Sequence, residues 1–437
     1  MGDILKDLKY YRQALGVNML WNSYPIIFVV RDGFGIGPSG SIFTILYWGL
    51  GILLMLPVNI FQKIYLPNKM LFFFWFAFWA LSYIYWKYYP SPNFGAEPLR
   101  EILTYFIPLG FLFASMYYPN DKLHIIVIVL VFYSILASTG LIYYMTQQSG
   151  WQLGDRAGIR FAANTNNSNP HAYANNALAG LLAALIVAGR SKQVLVKVFY
   201  FMCALFSLAV MVLARTNISI IALILSALVY FVLHGRSAFL AIFKWQFLVI
   251  VGAIAGIIYT LLAQFSKASF VLSVYFQTML GRFGKVIYTV SGVQVAESSK
   301  EIDYSSVNRI LSFRYVTEVF LGEGTIGTIL FGEGYKAQFF DVPALEALVN
   351  QGLVGFVLFN GFFGVVIMTS FQQFFRPAND LSKFMAYFSF IILIALFSGA
   401  RPIDLSMWLV YIFYVRFFGV YSSSPALETR QTQLTPA

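Results

Sequence analysis

The chain has 437 residues, 59% of them hydrophobic and 11% charged, with a mean hydropathy of +0.72, a composition that no soluble globular surface presents, so an integral membrane protein is predicted. The net charge of +11 comes without a basic run interleaved with aromatics, which excludes an ordinary nucleic-acid partner. A single cysteine, Cys203, excludes an internal disulfide, and the scattered His124, His171 and His234 offer no zinc-ligand spacing; no metal or other cofactor is expected.

Apolar runs of the length a helix needs to cross a bilayer, without the alternation of an outer-membrane barrel, predict an all-α integral membrane protein of about 12 transmembrane helices. The runs lie at 14–30, 41–61, 68–88, 101–118, 124–144, 171–189, 194–213, 217–233, 246–263, 343–370, 384–399 and 405–421. Lys6, Lys9 and Arg12 lead into a polar-flecked first span with no small-residue cleavage site, so that span is expected to be retained. Lys63, Lys69, Lys122, Arg190, Lys192, Lys197, Arg236, Lys244, Arg376 and Lys383 fall on the same side as that amino end. Basic residues in short loops mark the cytoplasmic face, which puts both termini inside.

With Arg416 and Arg430, the inner side holds nine Lys and six Arg, and the outer side five Lys and nine Arg, which together make up the 29 basic residues. A topology signal needs only positive charge, whereas the planar guanidinium fork suits phosphate and carboxylate. The outer arginines Arg156, Arg160, Arg215, Arg309, Arg314 and Arg401 are therefore the candidate anion ligands. No internal repeat is visible, and charges buried in mid-span are scarce, both of which weigh against a transporter built from two related halves.

Three outer segments stand out. The loop at 145–170 carries Arg156 and Arg160, four residues apart, which share a face on a helical turn or lie about 13 Å apart when extended. Either spacing straddles a diphosphate; the plain alternative is a solvated loop. Its Asn-rich run and Pro170 stop any helix before the next span. The second segment is Ala214-Arg215-Thr216-Asn217, where Arg215 either binds an anion or snorkels to headgroups, and Thr216 or Asn217 caps the following helix.

The third is a large loop at 264–342, between the ninth and tenth spans. Its first half, Ser269 to Ser291, has the mixed pattern of an interfacial helix. Ser305-Ser306 then cap a helix whose apolar side is expected at Ile310, Phe313, Thr317 and Phe320 or Leu321, with Arg309 and Arg314 about 140° apart on it. Gly332-x-Gly334 reads as a turn, too short for a phosphate loop. Asp341 stands just before Pro343 and the tenth span. It is either an N-terminal cap or a general base that takes a proton from a sugar hydroxyl, with Glu346 one turn in as an assistant or a polar helix contact, and Glu333 as the weaker rival. The polar tail at 422–437 is expected to be disordered.

Over residues 150 to 370 these features resemble the O-antigen ligase and polymerase superfamily, the Wzy-type polymerases and WaaL-type ligases of bacterial cell-surface polysaccharide. The pattern is Arg156-x-x-x-Arg160 and Asn169-Pro170 before a span, then Arg215 at a span junction. A large outer loop follows, with an Arg-bearing helix and a Gly-x-Gly turn, leading to a span with Leu345, Leu348, Gly352 and Gly355. The resemblance implies a multispan inner-membrane glycosyltransferase whose donor is an undecaprenyl-pyrophosphate-linked oligosaccharide. Arginines would hold the pyrophosphate, and a base in the large loop would activate the acceptor hydroxyl. The ligases open the last motif with His; eleven residues before Gly352 this chain has Asp341, as many polymerases do. That departure favours a polymerase on the periplasmic face over a ligase acting on lipid A core, with a lipid-linked oligosaccharide transporter as the remaining alternative. A separate chain-length-determining membrane protein is implied as a partner, again by the resemblance alone.

Overall fold

The structure is a computed structural model describing residues 2–37, 41–59, 61, 63–91, 98–148, 156–160, 169–242, 277, 304–397, 399 and 401–421. The expected ninth span, the first half of the large loop, most of the 145–170 loop and the tail at 422–437 lie outside the described residues. Among the described residues the chain is all-helical, with one isolated bridge from Pro90 to Tyr335 and no strand.

In chain order the helices are α1 Gly2–Trp21, the short α2 Tyr24–Ile27 running into a π-helical turn Phe28–Gly33, α3 Ser41–Met55, α4 Lys69–Tyr88, α5 Pro98–Ser115, α6 Leu123–Gln147, α7 Pro170–Arg190, α8 Val194–Ala214 and α9 Asn217–Ile242. The second half of the large loop supplies α10 Tyr304–Arg314, a π-helical turn Tyr315–Phe320 and α11 Ile326–Phe331. α12 Pro343–Phe375, α13 Asp380–Ala395 and α14 Leu405–Phe417 follow. Six stretches are long and apolar enough to cross a membrane: α4, residues 120–147, α7, α8, residues 217–235 and α12; α3 and α14 are apolar but shorter.

Hydrogen bonds sort the helix connections to two ends. At one, Asn22 Nδ2 donates to Asn176 Oδ1 at 2.7 Å, Ala157 N to Leu213 O at 3.0 Å and Tyr335 N to Tyr89 O at 2.8 Å. At the other, Lys122 meets Asp7 at 2.9 Å, Arg190 meets Asp380 at 2.6 Å and Tyr65 N donates to Met116 O at 2.8 Å. Between them lies an aromatic-rich core in which Trp21 stacks on Phe413 and Trp408 is wholly buried. Exposed Leu46, Leu53, Phe73 and Leu136 on the helix flanks suit a hydrocarbon solvent rather than water.

Three sequence expectations shift. The first helix starts near the amino end and stops at Trp21, because Pro25 supplies no N–H to continue the ladder; the chain restarts in α2 and widens into the π-turn. α10 begins at Tyr304, so Ser305 and Ser306 lie inside its first turn rather than capping it. Its inward side is Ser312, Val316 and Phe320, so Phe320 is buried as expected, whereas Ile310, Phe313, Thr317 and Leu321 are exposed. The π-turn at Tyr315–Phe320 advances the side chains by less than an α-turn would, so a face drawn at 3.6 residues per turn does not carry through Thr317 and Leu321; Ile310 and Phe313 precede it.

Candidate functional site

Two groups of polar side chains gather at the end of the bundle where α8 gives way to α9 and the large loop meets α12. The first is built on residues 156–160. Ala157 and Ile159 are buried and tie the segment down, Ala157 N to Leu213 O at 3.0 Å and Ile159 O accepting from Asn169 N at 3.4 Å. With these turned inward, Arg156 and Arg160 are exposed. Arg156 Nε donates to Ala214 O at 3.3 Å, and its Nη2 lies 3.4 Å from His171 Nε2. Asn169 caps α7 through Ala172 N, with Pro170 in the first helical position, so the Asn-Pro pair starts the helix that carries His171.

Arg215 follows directly, half-buried, with φ of 51°. It ends α8 in the left-handed conformation that glycine usually fills at a helix C-terminus. Thr216, wholly buried, bonds to Ser219 Oγ at 2.9 Å. Arg156 and Arg215 are thus brought to one junction, with Arg160 on the same strapped segment.

The second group surrounds the start of α12. Gly332, at φ 81°, and Gly334, at φ 120°, do form a turn, and it docks into a kink of α12 at Gly352, where φ is 66°. Glu333 N donates to Val349 O at 2.8 Å and Gly334 N to Asn350 O at 3.1 Å, satisfying carbonyls that the broken helical ladder leaves free. Asn350 and Gln338 then exchange a reciprocal pair of bonds at 2.8 and 3.0 Å. This fixes the chain that presents Asp341.

The capping alternative for Asp341 fails: Val342 is the cap residue of α12, with no side-chain cap bond, and Asp341 makes no hydrogen bond to the helix start. The carboxylate is half-buried and has no hydrogen bond or ion pair among the described residues. Glu346 is 2% exposed and its Oε2 accepts from Phe340 N at 3.0 Å, so it braces the loop backbone rather than a neighbouring helix. Arg401, Lys336 and Asp404 stand close enough to act on its charge. Arg401 is exposed and lies over the Phe339 ring at 4.1 Å. Glu333, the weaker rival, is held by Tyr315 Oη at 2.8 Å and Gln338 Nε2 at 3.4 Å; burial and this carboxylate push the Tyr315 phenol up to about 12, so it serves as a donor.

The two loop arginines separate. Arg314 is exposed and paired with Glu318 at 2.7 Å, while Arg309 is half-buried on α10.

A cluster that no sequence pattern announces links the loop to α5. Glu101, 3% exposed, accepts from Lys336 Nζ at 2.8 and 3.0 Å and from the hydroxyl of wholly buried Tyr335, which in turn receives Tyr105 Oη at 3.1 Å. Burial pulls the Lys336 ammonium below the usual lysine value, and Glu101 opposes that shift. Its one trace in the sequence is a lone carboxylate at the head of an apolar run.

The residues form no cluster of three or more His, Cys, Asp or Glu suited to a metal among those described. The arrangement offers arginine forks for a multiply charged anion and, at the same end, one half-buried and one buried carboxylate. The sequence matches no protein-family model, and no curated protein matches it.

Proposed function

We propose that the chain is a membrane glycosyltransferase, a polysaccharide polymerase that joins undecaprenyl-pyrophosphate-linked glycan repeat units at the outer face of a bacterial inner membrane. The observation that carries this reading is the junction where Arg156 bonds the carbonyl beside Arg215, at the same end of the bundle as Asp341, whose carboxylate has no hydrogen bond or ion pair among the described residues. Arg156, Arg160 and Arg215 hold the donor's pyrophosphate, with Arg309 and Arg401 as further ligands; Arg314, engaged by Glu318, is the weakest candidate. Charge on the departing lipid diphosphate is stabilised by these forks. Asp341 takes the proton from the nonreducing-end hydroxyl of the acceptor as that oxygen attacks the donor's anomeric carbon, and a single displacement inverts the configuration there. Glu346 keeps the loop in place and holds a second carboxyl close by.

The same reading has about 12 spans with both termini cytoplasmic, since the basic inner loops favour that orientation. A product gel from purified protein supplied only with the lipid-linked repeat unit tests it. A ladder that disappears in Asp341→Asn is expected. Product formed only after lipid A core is added would make the protein a ligase, and a lipid carrier moved without any new bond would make it a transporter.

A further inference from the structure

At the opposite end of the bundle, α1 and the α3–α4 and α5–α6 connections line a half-open cavity of about 270 Å³, with Lys9, Arg12 and Lys63 in its lining beside Tyr10, Tyr65 and Tyr117, and no carboxylate among the described lining residues. The cations are positioned by contacts rather than scattered. Lys9 Nζ sits 4.7 Å from the Tyr10 ring centre and Lys63 Nζ 5.4 Å from that of Tyr65, geometry that holds an ammonium in place through cation–π attraction. Arg12 Nη2 donates to Leu56 O at 2.7 Å and Gln13 Nε2 to Met55 O at 2.8 Å, so the last carbonyls of α3 fix one wall. The Nε of Arg12 is buried with no protein partner among the described residues. Of the nearby carboxylates, Asp7 is engaged by Lys122 at 2.9 Å, and Asp121, close enough to act on Tyr65, is not in the lining.

Beside the cavity, the α3–α4 connection turns Val58 and Phe61 almost fully outward, 98% and 92% exposed, followed by Leu66 at 66%. Converging cations next to outward apolar side chains match an amphiphile with an anionic head. We propose that this cavity binds the phosphate of an anionic membrane lipid, with Lys9, Arg12 and Lys63 on the headgroup and the acyl chains running past Val58 and Phe61. A topology signal alone would need charge but neither the cavity nor the tyrosine stacking. Lys192 and Lys197, exposed at the same end of the bundle, show what such a signal looks like without them. The inference stands apart from the polymerase reading, because the cavity and the candidate site lie at opposite ends.

Native mass spectrometry of the detergent-purified full chain tests it, with phosphatidylglycerol, phosphatidylcholine or inorganic phosphate added in turn. Lys9→Gln/Lys63→Gln removes two exposed charges that make no hydrogen bond among the described residues, and Lys192→Gln/Lys197→Gln removes two elsewhere on the same end. Expected is retention of phosphatidylglycerol over phosphatidylcholine by the wild type, weakened about tenfold or more in the first variant and unchanged in the second. Equal loss in both variants, equal retention of the two lipids, or binding of inorganic phosphate as tight as that of phosphatidylglycerol would overturn the lipid site.

Discussion

Gly332 and Gly352 meet backbone to backbone. A Cβ on Gly332 would stand 2.5 Å from the carbonyl of Asn350, and one on Gly352 would stand 2.2 Å from Leu330 O. Both residues also have positive φ, where a side chain is strained whatever the space. The turn of the large loop therefore fits the kink of α12 only as a glycine pair. Gly332→Ala and Gly352→Ala should each cost at least roughly 2 kcal/mol and loosen the loop. Gly364, in the same helix with nothing near its added Cβ, should accept Ala with a gain of about 0.5 kcal/mol or more. Thermal unfolding in detergent with limited proteolysis of the 304–342 segment checks this. Equal behaviour of all three variants would mean the docking contributes nothing.

Arg215 separates fold from function. A non-glycine residue in the left-handed region costs roughly 1 kcal/mol, so the backbone at the end of α8 would be served at least as well by glycine. Arg215→Gly relieves that backbone cost and should keep the fold while product formation falls tenfold or more, the scale of losing one charge-assisted fork to a phosphate. Arg314→Ala, which breaks only an exposed pair with Glu318 at 2.7 Å, should leave the rate within about twofold, because such surface pairs contribute little. An Arg215→Gly protein with full activity would remove this arginine from the proposed pyrophosphate site.

Lys336 and Glu101 bind the loop to α5 through a pair whose side chains are 14% and 4% exposed. Glu101→Gln should destabilise by about 3 kcal/mol, since it leaves a buried ammonium without its counter-charge, and Glu101→Gln/Lys336→Met should recover much of that loss. A double-mutant cycle on thermal unfolding measures the coupling; additive effects would show that the pair is incidental.

The helical class is legible because apolar runs announce themselves by length, and the junction at Arg215 because a guanidinium wedged between two such runs contrasts with everything around it. What the sequence hides depends on long-range contact. Glu101 and Lys336 are 235 positions apart, and nothing local to either predicts the other. By sequence Arg416 is one more inner-side cation, yet it is wholly buried and donates to Ser115 O at 3.1 Å, Tyr118 O at 2.6 Å and Asn120 Oδ1 at 3.0 Å. It closes the exposed carbonyl end of α5, a task no pattern in its own helix reveals. Beyond α10 the expected face holds at Phe320 but not at Thr317, because a π-turn changes the period on which such faces are drawn. At Asp341 the sequence leaves cap and base open, and the cap position falls to Val342.

The two carboxylates before and within α12 carry different expectations. Asp341 has no partner among the described residues, so Asp341→Asn should leave the melting temperature unchanged and lower the rate by about 10² or more, as loss of a general base does. Glu346 accepts from Phe340 N at 3.0 Å. Glu346→Gln keeps an oxygen for that bond and should retain the fold with a smaller loss of rate, whereas Glu346→Ala leaves Phe340 N unsatisfied and should destabilise by about 1–3 kcal/mol. Rates for the three proteins, measured on lipid-linked repeat units with unfolding monitored in parallel, assign the roles. Should Glu346→Gln abolish product while Asp341→Asn stays active, the base is Glu346, and the carboxylate left open at the head of α12 has no part in the chemistry.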